Sequence, residues 1–151
     1  MTTLPFFDLI YCSPEATFTT PFSSLGICLE GCSSVTFPAL LGQTLTTRLL
    51  YLSETVKVDE LASIGLIAEI LPQDRLAETV LEKIEGILEG LAYGSIVASK
   101  GLVRSPEVRR GLHAVNEREM RVLAERVASE DHRQALVRFQ ERKKQKKAAK
   151  L

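Results

Sequence analysis

The first 47 residues of the chain contain neither lysine nor arginine, and the first basic side chain is Arg48. The only carboxylates of this segment are Asp8, Glu15 and Glu30. Charged side chains are rarely fully buried unless they are paired, so a segment that nearly lacks them is typical of a buried or ligand-lining position. Over the whole chain 19 bases balance 19 acids. The zero net charge gives no electrostatic reason to expect a nucleic-acid partner.

Short extended segments are predicted at the start of the chain. Residues 6–12 form an apolar, β-prone run that ends at Ser13-Pro14, and this pattern predicts a buried strand. Residues 16–20 predict a second extended segment, which Pro21 ends. Residues 23–34 are rich in Gly, Ser and Cys, which predicts a loop that a backbone or a ligand can approach closely.

The middle of the chain predicts short helices and one more strand. Two helices are expected at residues 36–41 and 44–52, divided at Gly42. Asp59 is the expected cap of a third short helix, which Gly65 ends. A strand is expected at residues 66–71.

The second half of the chain predicts helices only. One apolar stripe runs from about residue 74 to residue 91, and a further helix is expected at residues 95–103. Ser105-Pro106 is typical of a helix cap followed by the first helical position. The apolar face of the helix that follows carries Val108, Leu112, Val115, Leu123 and Val127, and a last helix begins near residue 129.

The order of these elements constrains the architecture more than the length does. A chain of 151 residues and 16.7 kDa fits one domain. Two or three short strands followed by helices predict an α/β fold with few strands, and an isolated pair of strands is marginally stable. We therefore expect most of the sheet to lie elsewhere.

The three cysteines, Cys12, Cys28 and Cys32, predict free thiols in a reducing compartment. Cys28 and Cys32 are four residues apart, and the chain's two histidines, His113 and His132, are remote from them in the sequence, so we expect no metal site. The histidines themselves are expected at the surface or in packing. The sequence also has no apolar run of the roughly 18 residues that a membrane span needs. The start of the sequence has no basic region typical of a secretory signal.

A set of ordered motifs carries a resemblance to a known family. The motifs are Phe7-Asp8-Leu9-Ile10-Tyr11, Ala16-Thr17-Phe18, Thr20-Pro21-Phe22-Ser23-Ser24-Leu25-Gly26, Glu30-Gly31, Gly42, Asp59-Glu60-Leu61-Ala62, Gly65-Leu66-Ile67-Ala68-Glu69-Ile70 and Leu112-His113-Ala114-Val115-Asn116. Together they resemble the crotonase superfamily, and most of all the C-terminal part of peroxisomal Δ3,Δ2-enoyl-CoA isomerases and their fungal relatives. The resemblance implies a spiral ββα fold with C-terminal helices, assembled as homotrimers. It implies an acyl-CoA substrate and no cofactor other than the coenzyme A of the thioester.

The resemblance implies that Glu30 is the catalytic acid/base. A carboxylate in an apolar pocket of small residues has its charged form disfavoured, which suits a general base. Gly31 would leave room for substrate, and Phe22 and Leu25 are candidate walls for the acyl chain. Two alternatives stay open: Glu30 as a carboxylate in the first turn of the next helix, and Phe22 and Leu25 as core residues.

Two departures from the family pattern affect the expected activity. Hydratases of the family carry a second glutamate after a proline, and here that pair is Pro21-Phe22. A double-bond shift is therefore favoured over the addition of water. The family's two oxyanion-hole loops precede the segment that matches residues 7–10, so residues 1–141 are interpreted as the C-terminal part of a crotonase-like domain that lacks them.

Residues 142–151 form a basic tail that ends in Ala149-Lys150-Leu151. This small–basic–leucine tripeptide is of the class read by the peroxisomal import receptor, so the peroxisome is the expected location. The lysines ahead of it are expected to keep it extended and accessible. A plain basic, disordered tail is the alternative.

The sequence thus predicts an enoyl-CoA isomerase with one glutamate acid/base, in fatty-acid metabolism or in fungal specialised metabolism, with a truncated form or one of reduced activity left open. The alternatives are a catalytically silent crotonase-like assembly module and an enoyl-CoA hydratase.

Overall fold

The computed structural model describes the backbone of residues 1–148 and the side chains of residues 1–142, 144 and 145. Its helices are α1 (Ser33–Thr46), α2 (Val58–Ser63), α3 (Leu76–Leu88), α4 (Tyr93–Val103), α5 (Pro106–Val127) and α6 (Glu130–Ala148). Its strands are β1 (Tyr11–Cys12), β2 (Thr17–Phe18), β3 (Val56–Lys57) and β4 (Glu69–Ile70). Short 3-10 turns cover Leu4–Phe6 and Ser23–Leu25, and a π-helical turn covers Thr47–Tyr51. The predicted class, an α/β fold with few short strands and a mainly helical C-terminal region, is confirmed.

The four strands form two separate pairs. β1 pairs with β4 in parallel, with Tyr11 opposite Glu69, and β2 pairs with β3 antiparallel, with Thr17 opposite Lys57. The parallel pair needs a long connection, because a tight turn can join only antiparallel strands. That connection carries the core of the molecule.

The predicted strand at residues 6–12 is wrong over most of its length. Residues Leu4–Phe6 form a 3-10 turn with Pro5 at its start, and only Tyr11–Cys12 is a strand. The side chains of Phe7 and Leu9 are 62% and 50% exposed, so the run is not buried. Likewise, the expected strand at residues 66–71 is reduced to β4. A strand forms only where a partner strand lies beside it, and β1 offers β4 only two residues for pairing.

The hydrophobic core is formed by residues of the segment that connects β1 to β4. Its buried members are Phe22, Phe37, Leu41, Leu49, Leu50, Val56, Val58, Leu61 and Ile67. Gly42 has φ 71° and ψ 170°, so it kinks the long helical segment at the predicted division. Leu41 before the kink and Leu49 after it are both buried in the core.

The short helix α2 begins at Val58, two residues before the start that Asp59 as its cap would give. Lys57 is the cap residue, and its N–H donates to Oε1 of Glu60 at 3.4 Å. Asp59 therefore lies in the first turn, where a negative charge is favourable at a helix N-terminus. Gly65 follows the helix with φ 77°, as the predicted stop requires.

The helices after β4 contribute little to this core. No residue of α3 or α4 is buried, and Glu119 is the one buried residue of α5. α4 is tied to the segment before β1 through Asp8, which accepts hydrogen bonds from Lys100 at 2.6 Å and Arg104 at 2.9 Å. The Lys100 ammonium holds the pKa of the Asp8 carboxyl below its usual value. Within residues 1–148 no helix is both long and apolar enough to cross a membrane.

The start of α5 and the end of α6 concern two sequence-based expectations. Oγ of Ser105 accepts the Val108 N–H at 3.4 Å, so the predicted cap of α5 is confirmed. The lysine-rich residues 142–148, predicted as part of a basic tail, continue α6 to Ala148, since Lys, Gln and Ala are good helix formers. The predicted boundary at residue 141 thus falls inside a helix. Ala149-Lys150-Leu151 lies outside the described residues.

α6 packs directly on the turn that leads to the candidate site. Nδ1 of His132 lies 2.7 Å from the Leu25 carbonyl oxygen, and Arg126 donates to the Gly26 carbonyl at 3.1 Å. Gly26 has φ 67°, and a Cβ atom there would lie 2.8 Å from Cα of His132. Glycine is therefore required at this position both by its backbone conformation and by the close approach of α6.

Gly26→Ala tests this packing against a matched glycine. Gly65 also has a positive φ, 77°, but no atom lies within 4 Å of the place that a Cβ would take there, so Gly65→Ala meets conformational strain alone. We expect Gly65→Ala to lower the free energy of unfolding by about 1–2 kcal/mol. Gly26→Ala should lower it further, because the backbone of α6 must also move. Urea unfolding followed by circular dichroism measures both, and equal losses would contradict the docking of α6 on Gly26.

Candidate functional site

Glu30 lies at the end of the loop that connects the Ser23–Leu25 turn to α1, and it is partly buried. Its Oε1 accepts a hydrogen bond from the hydroxyl of Thr2 at 2.8 Å. Its main-chain carbonyl accepts from Oγ of Ser33 at 2.7 Å and from the Ser33 N–H at 3.2 Å. The backbone of Glu30 is therefore fixed to the first residue of α1, while its carboxylate is held by one neutral hydroxyl.

The two residues after Glu30 form a left-handed turn. Gly31 has φ 66° and Cys32 has φ 63°, and only glycine adopts this conformation readily. A Cβ atom at Gly31 would lie 3.0 Å from both Cβ and Oγ1 of Thr2. In this structure Thr2 thus occupies the side of Gly31 on which a Cβ atom would lie, which is one part of the space that was expected to admit substrate.

A buried carboxylate from α5 holds the start of α1. Oε2 of Glu119 accepts the Cys32 N–H at 2.7 Å, and Oε1 accepts the Ser34 N–H at 2.9 Å. The thiol of Cys32 also donates to the Leu112 carbonyl, with Sγ 3.3 Å from the oxygen. These contacts fix α5 against the residues that follow Glu30.

Sequence reasoning missed Glu119, although a signal for it existed. The predicted apolar face of α5 includes Val115 and Leu123. Glu119 lies four residues from each of them, so it interrupts the apolar face at a position that helical periodicity places inside. A carboxylate at such a position needs hydrogen-bond donors, and here the N-terminus of α1 supplies them.

Of the two residues expected to line the acyl chain, Phe22 is buried in the core and Leu25 is partly exposed. Phe22 is 7% exposed and belongs to the hydrophobic core, which corresponds to the packing alternative. Leu25 is partly exposed, and its carbonyl contacts His132 of α6. His132 is therefore a packing residue, as predicted.

An open groove between α1 and α5 begins beside Gly31. Its first part is a cavity of about 290 Å³, and it adjoins a larger apolar cavity of about 560 Å³ through the shared residues Phe6, Arg109 and Leu112. The first cavity is also lined by Cys32, His113 and Asn116. The arrangement places a single partly buried carboxylate one residue from a mainly apolar groove. Among the described residues no three His, Cys, Asp or Glu side chains are grouped to hold a metal ion.

Sequence comparison shows the family of this chain. The family model "Enoyl-CoA hydratase/isomerase" matches residues 4–148. The chain belongs to this family, within the crotonase superfamily. Human enoyl-CoA delta isomerase 2 is 36% identical over 143 residues, which are 95% of this chain and 36% of that protein. Mouse peroxisomal enoyl-CoA delta isomerase 3 is 32% identical, over 95% of this chain and 44% of that protein.

A solved structure supports the same assignment. The crystal structure of an enoyl-CoA hydratase/isomerase from Pseudoalteromonas atlantica T6c matches with a TM-score of 0.84 and 30% identity. The match covers 93% of this chain and 56% of that chain. The chain therefore spans less than half the length of these two curated relatives and about half of the structural one.

The thiols of this family member lie in environments that make them poor nucleophiles. Burial raises the pKa of the Cys12, Cys28 and Cys32 thiols above the usual value. For Cys32 the nearby Glu119 carboxylate raises the pKa further. Because the thiolate is the reactive form, a raised pKa lowers reactivity at a given pH.

We expect iodoacetamide at pH 8 to alkylate all three cysteines more slowly in the folded protein than in urea. Cys32 should be the slowest, since its side chain is buried and faces Glu119. Mass spectrometry of peptides from a time course measures each site separately. Alkylation of Cys32 at the same rate with and without urea would contradict the expectation.

Proposed function

We propose that the protein acts as an enoyl-CoA isomerase, with Glu30 as the single acid/base. The observation that carries the proposal is the setting of Glu30: a partly buried carboxylate, held by a neutral hydroxyl, one residue from a mainly apolar groove. The names of the relatives at 36% and 32% identity give the reaction class. The acyl-CoA substrate, the homotrimer and the absence of a cofactor beyond coenzyme A in the thioester are parts of the same proposal.

The proposed reaction moves one proton within the substrate. The Glu30 carboxylate takes a proton from C2 of a 3-enoyl thioester, and the electron pair of the broken C–H bond spreads over the dienolate. The resulting Glu30 carboxylic acid returns the proton to C4, so the double bond moves from C3–C4 to C2–C3. Nothing is oxidised or reduced, no water is added, and the carboxylate is regenerated.

The thioester oxygen carries negative charge in the intermediate. Hydrogen-bond donors aimed at such an oxygen are commonly a large part of catalysis, and removing one donor typically costs roughly 10²–10³ in rate. We assign to Glu30 the proton transfer alone. The overall rate depends on the donors that serve the thioester oxygen.

Isomerisation is favoured over hydration by the residue after Pro21. Hydration needs a second carboxylate to place water, and Phe22 at the family's position is an apolar residue of the core. The two reactions are distinguished by product mass, because hydration adds one water and isomerisation adds nothing.

Glu30→Gln tests the role of the carboxylate. We expect a fall in C2 deuterium exchange and in 2-enoyl-CoA formation of about 10²–10⁴-fold, the usual contribution of a positioned acid/base. Mass spectrometry of 3-enoyl-CoA incubated with the protein in D₂O measures both. Glu15→Gln is the matched control, since Glu15 is an exposed carboxylate of the same nearly uncharged segment.

Two results would contradict the proposal. One is an unchanged rate in Glu30→Gln. The other is a wild-type protein that is folded but catalyses neither exchange nor isomerisation, which would favour the silent assembly module.

We also propose the peroxisome as the location of the protein, with the import receptor as a partner. Its support is the name of the mouse relative and the tripeptide Ala149-Lys150-Leu151. Deletion of Leu151 in a fluorescent fusion should change a punctate distribution that overlaps a peroxisomal marker into a diffuse one. Import that survives the deletion would exclude this tripeptide as the signal, and Leu136→Ala, upstream in α6, is the control.

A further inference from the structure

Glu119 is an unusual residue for the middle of a long surface helix. Its side chain is 5% exposed, while the other residues of α5 are partly or fully exposed. A buried carboxylate is costly unless it is paired or hydrogen-bonded. Among the described residues no lysine, arginine or histidine forms an ion pair with Glu119. Its carboxylate instead accepts hydrogen bonds from two backbone N–H groups.

Those two N–H groups belong to the segment that follows Glu30. The first N–H groups of a helix have no partner inside it. Here the Cys32 and Ser34 N–H groups donate to the two oxygens of Glu119, and the Ser33 N–H between them donates to the Glu30 carbonyl. A charged acceptor makes such hydrogen bonds short and strong. Glu119 therefore binds both sides of the residue that fixes the Glu30 backbone.

The same contacts hold the left-handed turn at Gly31 and Cys32. The positive φ of Cys32 is disfavoured for a residue with a side chain, so surrounding contacts must maintain it. The hydrogen bond from the Cys32 N–H to Glu119 is the shorter of the two, at 2.7 Å. The direction in which Glu30 leaves the backbone depends on this turn.

We propose that Glu119 is a positioning residue for Glu30. It fixes the Gly31–Cys32 turn and the start of α1, and so holds the Glu30 carboxylate in its place beside the groove. This inference rests on the proposed role of Glu30 as the acid/base. Glu119 itself touches neither substrate nor the proton that is moved.

Glu119→Gln is the first test, because it preserves side-chain volume and removes one acceptor. The amide oxygen can accept one N–H, but the NH₂ group then faces the other donor. We expect kcat to fall about 10- to 100-fold with KM changed less than about threefold, since misplacement of a catalytic group by about 1 Å can cost 10²-fold. Glu119→Asp keeps both acceptors on a shorter side chain and should recover part of the loss. Glu125→Gln, at an exposed position of the same helix, should leave kcat unchanged.

A second measurement does not depend on activity. Amide protons bonded to a carboxylate exchange slowly, so Cys32 and Ser34 should be protected in the wild type and exposed to exchange in Glu119→Gln. Nuclear Overhauser contacts between Thr2 and Glu30, whose side-chain oxygens lie 2.8 Å apart, report whether Glu30 keeps its place. We expect those contacts to weaken in Glu119→Gln and to return in Glu119→Asp.

These readouts separate failure of this inference from failure of the proposed function. Wild-type kcat in folded Glu119→Gln would overturn the positioning role. So would unchanged Thr2–Glu30 contacts in that variant, even if the wild type were inactive. Loss of global stability with kcat preserved in the folded fraction would make Glu119 a structural residue only. An inactive wild type with contacts that respond as expected would reject the isomerase proposal and keep the placement of Glu30 by Glu119.

Discussion

The contact between the C-terminal helices and residues 25–34 is the interaction on which the candidate site depends. Glu119 binds the N-terminus of α1, while Arg126 and His132 bind the carbonyls of Gly26 and Leu25. The segment between these anchors carries Glu30. Without α5 and α6, backbone groups at both ends of this loop would lose the hydrogen-bond partners that fix them. The helices outside the core therefore act as the support of the site rather than as additional core.

Much of the helical part of the fold could be predicted because its signals are local. The kink at Gly42, the Ser105 cap and the stop at Gly65 follow from single residues whose conformational preferences are strong. The position of Glu30 was predicted from the resemblance alone, because nothing in its local pattern separates a catalytic carboxylate from one that favours the start of a helix. A local pattern therefore identifies the element, and a family motif is needed to indicate a role.

What could not be predicted depends on partners distant in the sequence. The apolar run at residues 6–12 has the composition of a strand, but β4 pairs with only Tyr11 and Cys12. Glu119 contacts Cys32 across 87 residues, and no local preference gives that pairing. Its only sequence signal is negative, a carboxylate on an otherwise apolar helix face. A carboxylate at such a position indicates that another part of the fold supplies hydrogen-bond donors to it.

The choice of backbone N–H groups as partners for Glu119 has a chemical consequence for Glu30. A buried carboxylate could also be balanced by a lysine or arginine. Such a cation would lie near Cys32, two residues after Glu30, and residues 1–47 contain no basic side chain that could serve. It could then pair with Glu30 and occupy the oxygens that must accept a proton. Fixed backbone dipoles balance the charge of Glu119 without adding a further cation at this point. The lack of basic side chains in residues 1–47 thus leaves the Glu30 carboxylate with no cation from its own segment, and its Oε1 is held by the neutral Thr2 hydroxyl.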